Sequence, residues 1–132
     1  MREGKNVEKL PERGIPGQSE PDLLVDGELR EIKTREDPLN ESWVKDKIGD
    51  ANKQIKNSGY GDKPQGSVDL QLKGQTASES QLLQKVEVQV LEQFRVDQSK
   101  SLTTVRVYHE GRLLAEWTRS GEKIIQVFSA VQ

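Results

Sequence analysis

Apolar residues are spaced along this 132-residue chain with two periods, one of about two and one of about 3.6, and the changes between them outline alternating strands and helices. The stretch "KNVEKL" at 5–10 predicts a short strand, and "PERGIPGQSEP", broken by proline and glycine, predicts a loop. A hairpin follows. Leu23 to Val25 is an apolar run, Asp26-Gly27 is the preferred pair of a type I′ turn, and Glu28 to Thr34 alternates as a strand does. Next, Asn40 can cap a helix whose apolar positions Val44, Ile48, Ala51 and Ile55 form one stripe, with Gly59 marking its end. The turn "GDKPQG" leads into "SVDLQLKG", whose alternating Val68, Leu70 and Leu72 predict a half-buried strand.

From Ser78 to Phe94 the two periods compete. "VEVQV" alone reads as a strand, yet Leu82, Val86, Val90 and Phe94 recur every four residues and Ser78 with Gln81 forms a potential capping box, so we read a helix. The tail, "LTTVRVY", "RLLAEWT" and "KIIQVFSAV", separated at Glu110-Gly111 and Ser120-Gly121, predicts a meander of three strands. The expected fold is therefore α/β: a central mixed β-sheet with flanking helices and a C-terminal β-meander, in a single domain over 1–132.

Charge narrows the choice of partners. Although 32% of the residues are charged, the net charge is only −2, so nucleic acid or an anionic membrane would have to be met by a local basic patch. Such a patch is available on the first long helix, where Lys45, Lys47, Lys53 and Lys56 lie mostly off the apolar stripe. The absence of cysteine excludes disulfides, zinc ribbons and thiol catalysis, and the single histidine, His109, makes a multi-histidine metal site or a His-paired serine site a poor expectation. His109 itself is expected at the surface beside a turn. No apolar run approaches the ~20 residues of a membrane helix, and residues 1–20 hold no signal-peptide core. Trp43 and Trp117 are expected to pack in the core or its rim rather than to stack on bases. The segment "GYGDKPQG" lacks the spacing of a phosphate-binding loop.

Chemistry concentrates in the first hairpin. A two-residue turn at Asp26-Gly27 pairs Val25 with Glu28, Leu24 with Leu29, Leu23 with Arg30 and Asp22 with Glu31, and the period of two returns Lys33 to the side of Glu31. Two opposed carboxylates repel unless a cation or a proton lies between them. A hard divalent ion resolves the conflict, since Mg²⁺ takes one or two protein carboxylates and fills its other positions with water and phosphate. Beside such an ion, a lysine can orient water and offset charge on phosphorus. The bland alternative is a set of solvated edge residues on a charged strand.

With these residues in place, the chain resembles the PD-(D/E)xK nuclease superfamily, in "PD" at Pro21-Asp22 and "ExK" at Glu31-Ile32-Lys33 on consecutive strands. More narrowly, "KNVEKLP", "PDLLVDGELREIKT", "KIGDANKQIKNSG" and "SVDLQLKG" look like the C-terminal toxin domains (CdiA-CT) of contact-dependent growth inhibition proteins, many of which are tRNA nucleases. The resemblance implies Asp22, Glu31 and Lys33 as catalytic residues, with Asp22 and Glu31 holding Mg²⁺ or another divalent cation such as Mn²⁺ or Zn²⁺. It places the helix around Ala51 and Gln54 beside the site, with Lys45, Lys53, Gln54 and Lys56 as nucleic-acid contacts. The implied substrate is tRNA, with DNA as the alternative, and the implied partner is a cognate immunity protein, with a host factor as a further candidate. The implied setting is the C-terminal part of a larger secreted or cell-surface bacterial protein, delivered to the target-cell cytoplasm. One departure from the superfamily is expected: its core begins with a helix that often bears a further glutamate, the sequence given reads as starting at the end of that helix, and Glu8 and Glu12, though upstream, are not expected on it. Either the element is dispensed with, another segment replaces it, or the chain is a fragment. A noncatalytic interaction domain is the rival class.

Overall fold

One sheet organises the molecule, and two helical crossovers determine which of its faces is covered. The structure, a computed structural model, describes residues 7–9, 23–25, 28–58, 65–96, 101–120 and 123–131. The strands are β1 (Val7–Lys9), β2 (Leu23–Val25), β3 (Glu28–Arg35), β4 (Gly66–Leu72), β5 (Leu102–His109), β6 (Arg112–Ser120) and β7 (Lys123–Ser129). They lie side by side in chain order. Strands β3, β4 and β5 are mutually parallel and the other pairings are antiparallel, so the sheet is mixed, as expected.

Parallel neighbours need crossovers, and α1 (Trp43–Lys56) and α2 (Glu79–Val96) supply them. Because the strand order never reverses, right-handed connections put both helices on the same face. Helix α1 packs over β3, β4 and β5, α2 packs over β5, β6 and β7, and the two helices pack against each other. The predicted stripe Val44, Ile48, Ala51 and Ile55 is fully buried there with Val68, Leu70, Val105, Val107, Val86, Val90 and Phe94. Trp117 and Trp43 join this core, which removes both from any base-stacking role.

The conflict over 78–94 resolves as a helix. Ser78 Oγ accepts from the Gln81 amide (3.2 Å) while Gln81 Oε1 accepts from the Ser78 amide (3.1 Å), a complete capping box. At the start of α1, Asn40 Oδ1 accepts from the Ser42 and Trp43 amides at 3.0 and 2.8 Å, and Gln89 Oε1, from α2, accepts from Val44 and Lys45 at 3.0 and 3.2 Å. The first amides of α1 are thus satisfied partly by its neighbour.

In the hairpin, Leu23 pairs with Arg30, Leu24 with Leu29 and Val25 with Glu28, the register a two-residue connection dictates. Residues 26 and 27, Gly59 and Gly121 lie outside the described residues. The Glu110-Gly111 turn has positive φ at both positions, 49° and 82°, as type I′ requires.

Two expectations are corrected. Strand β4 is not half-buried: Ser67 and Asp69, on the face away from the helices, are buried along with Val68, Leu70 and Leu72 on the helix face. Central position and the arginine side chains beside Asp69 account for this. His109 is not a plain surface residue either. Its side chain is 17% exposed and its Nδ1 lies 2.8 Å from Glu79 Oε2 in the first turn of α2, so the end of the β5–β6 hairpin is tied to the helix. No helix of the described residues is long and apolar enough to cross a membrane.

Candidate functional site

The pairing of β3 with β4 places Leu29, Glu31, Lys33 and Arg35 opposite Gly66, Val68, Leu70 and Leu72, and therefore on the helix-covered face. This explains why Gly66 opens β4: a Cβ there would lie 2.2 Å from the Leu29 carbonyl oxygen. Among apolar neighbours, Glu31 is 1% exposed. A carboxylate held that deep is costly unless a cation and hydrogen bonds accompany it.

Lys33 provides the cation. Its Nζ lies 3.5 Å from Glu31 Oε2 and donates to Gln54 Oε1 of α1 at 2.6 Å, with 18% of the side chain exposed. Glu31, Lys33 and Gln54 thus form one polar cluster between β3 and α1. Asp22, the other carboxylate of the sequence motif, lies outside the described residues.

Helical geometry sorts the remaining candidates. At 3.6 residues per turn each step turns about 100°, so Gln54 and Lys47, seven apart, share the flank of α1 that faces β3. Lys45 and Lys56 fall on the opposite flank, where Lys45 Nζ lies 3.8 Å from Glu92 of α2. Lys53 is exposed on the side of α1 opposite the core stripe. The structure therefore gathers Gln54 with Glu31 and Lys33 and leaves Lys45, Lys53 and Lys56 elsewhere on the helix.

As a metal site, the cluster offers oxygen donors only, a chemistry that suits a hard divalent ion. Among the described residues there is no group of three or more His, Cys, Asp or Glu side chains that could hold a metal. Of the carboxylates, Glu31 alone among the described residues stands in this cluster, and Mg²⁺ is commonly held by as few as one or two.

A second polar network paves the opposite face. Asp69 lies 3.4 Å from Arg30 and 3.4 Å from Arg106, Arg106 lies 3.5 Å from Glu116, and Arg106 also donates to Ser67 Oγ at 3.0 Å. Its two cations and two anions balance, and it fastens β3 to β6 across four strands. Burial, with Asp69 nearby, holds the adjacent Tyr108 hydroxyl above its usual pKa. Sequence reading missed this network, although Arg30, Asp69, Arg106 and Glu116 all sit at alternation positions facing away from the core.

No protein-family model and no curated protein matches the chain. Among solved structures it is similar to a CdiA-CT/CdiI toxin and immunity complex from Burkholderia pseudomallei, with 16% identity and a TM-score of 0.46, over 93% of this chain and 73% of that one. The similarity is weak, and the functional reading below rests on the residues themselves.

Proposed function

We propose that the protein is a metal-dependent nuclease toxin that hydrolyses phosphodiester bonds, with tRNA as its first-ranked substrate, in contact-dependent growth inhibition between bacteria. One observation carries the reading: an almost fully buried glutamate and a lysine, in E-x-K spacing on one strand, share the face that packs on the apolar core, and a glutamine from the neighbouring helix holds the lysine. The motif resemblance adds the toxin setting, a cognate immunity protein and delivery into a target cell as part of a larger protein.

In this reading Glu31 and Asp22 hold a divalent cation, which requires Asp22 to occupy the next pair of the hairpin ladder, opposite Glu31. Such an ion would supply Lewis-acid polarisation of the phosphate and a more acidic water. Lys33 orients the attacking water and offsets charge as the water oxygen bonds to phosphorus and the bond to the leaving oxygen breaks. Gln54 fixes the direction of Lys33. Glu31, beneath it, keeps the ammonium over the reacting phosphate.

The test is cleavage of total tRNA and of plasmid DNA by purified protein, with Mg²⁺ and with EDTA, beside Lys33→Ala and Asp22→Ala. Metal-dependent tRNA cleavage should fall about 10²- to 10⁴-fold in Lys33→Ala. Cutting of DNA alone would select a DNA endonuclease with the same residues. Absence of cleavage by folded wild type would favour a noncatalytic interaction domain. That second reading draws on two observations: Glu31 and Lys33 already pair with each other, and β7 exposes Ile125, Val127 and Phe128.

A further inference from the structure

Three cations stand on the two elements that meet at this seam, Lys33 and Arg35 on β3 and Lys47 on the flank of α1 that helical spacing turns towards β3. Lys33 and Arg35 are consecutive residues on the helix-covered face of β3. Lys47 stands on the same flank of α1 as Gln54 and, by helix rise, about 10 Å nearer the N-terminus of α1. A helix in a β–α–β crossover runs back antiparallel to its strand, so Lys47 comes level with the end of β3, just past Arg35. The cations therefore succeed one another from the Glu31–Lys33 pair towards the C-terminal end of β3.

Lys33 is already paired with Glu31, whereas Arg35 and Lys47 keep charge that a ligand can meet. Arg35 is held by the carbonyl oxygens of Asp37 (3.3 Å) and Pro38 (2.9 Å), which orient the guanidinium without cancelling its charge. Among the described residues Lys47 pairs with Asp50, 3.8 Å away, with both side chains substantially exposed; a pair of that kind holds weakly. Lys45 makes an equally long pair, 3.8 Å to Glu92 of α2, and is set apart from Lys47 by its flank of α1 rather than by its charge. Among the described residues the acids near the seam are Glu31, which pairs with Lys33 beneath it, Asp50 on α1, and Glu36 and Asp37, which follow β3 and bound the cationic run at that end.

We infer that this seam binds the sugar–phosphate backbone of a nucleic acid, with Lys47 and Arg35 as its phosphate contacts beyond Lys33. The inference rests on the phosphodiester reading for its ligand but does not require cleavage. It moves the interface from the outward lysines Lys53 and Lys56, and from Lys45 on the α2 side, to the β3 side of α1. Asp50 becomes a negative regulator of the interface, because it competes with phosphate for Lys47.

Binding of total tRNA in EDTA, where metal-dependent cleavage is absent, tests this from about 50 to 200 mM salt. Lys47→Ala should weaken binding and make the plot of log affinity against log salt shallower by about 0.7–0.9, the loss of one phosphate contact, while Lys47→Arg retains both. Asp50→Asn should tighten binding by about two- to fivefold, a gain that misfolding could not produce. Lys45→Ala and Lys56→Ala should bind as wild type. The inference is overturned if Lys45→Ala or Lys56→Ala lowers the slope and Lys47→Ala does not, or if wild type fails to bind at the lowest salt. Cleavage in Mg²⁺ with normal binding by Lys47→Ala would overturn it while leaving the nuclease reading intact; salt-dependent binding lost in Lys47→Ala without any cleavage would do the reverse.

Discussion

Gln54 shows most directly how a single side chain can link packing to chemistry. Its Oε1 takes a hydrogen from Lys33 Nζ at 2.6 Å, the shortest link between α1 and the E-x-K strand among those described, and it sets where the ammonium stands relative to Glu31. Removing it frees Lys33 to collapse onto Glu31 alone. Gln54→Ala should therefore reduce cleavage about ten- to a hundredfold, the range seen when a group supporting a catalytic ligand is lost. Gln54→Glu retains an accepting oxygen at the same reach and should keep clearly more activity than Ala. If both variants cleave as wild type at equal thermal stability, Gln54 has no positioning role. Glu31 and Lys33 were legible as a same-face pair because a period of two leaves no other choice. The direction of Gln54 was legible only as membership of a nearby helix, since one-dimensional spacing does not say which flank of a helix faces its strand.

At the level of elements, the helices were readable because each carries a complete apolar stripe, and the hairpin register because a two-residue turn determines it. Long-range polar fastenings left no comparable trace. Gln89, 3% exposed on α2, caps the Val44 and Lys45 amides of α1 and donates back to the Asn40 carbonyl at 3.0 Å, across more than forty residues of chain. Asn52 likewise accepts from the Leu102 amide at 2.9 Å, tying α1 to the start of β5. In sequence, each is one amide among many. Gln89→Ala leaves two buried or part-buried amides without this acceptor and should lower stability by about 1–3 kcal/mol, read as a urea midpoint that falls with the slope unchanged. At the other end of α2, the hydrogen bonds from His109 and Arg112 hold the Glu79 carboxyl below its usual value of 4.5. An acid depressed in the folded state contributes stability above its unfolded pKa and loses it as pH falls through the folded one. Glu79→Gln should therefore flatten the loss of stability below about pH 4.5, while at neutral pH it removes the ion pair with Arg112. Urea midpoints from acid to neutral pH would show this, and an unchanged acid limb would exclude the clamp.

Across the whole molecule, the proposed site would join a central, helix-covered strand to the strand beside it. Strands β3 to β6 are long and covered by both helices, whereas β1 and β2 offer three residues each, and β7 is an edge whose register with β6 shifts between Glu116 and Trp117. Backbone amides in β4 and β5 should accordingly exchange slowest with solvent, because opening the central, helix-covered strands breaks the most buried contacts. The nuclease reading adds a consequence that structural packing alone does not. If Asp22 and Glu31 share a cation, the ion links the thin β1–β2 edge to the buried strand β3, and binding to the folded state stabilises whatever must stay closed to hold it. Adding Mg²⁺ should then slow exchange at Leu24 and Val25 while leaving β4 and β5 unchanged, and Asp22→Ala should abolish the effect without altering the exchange of β4. Slowing spread evenly over the sheet, or persisting in Asp22→Ala, would mean that the ion binds elsewhere and that the hairpin acids do not form its site.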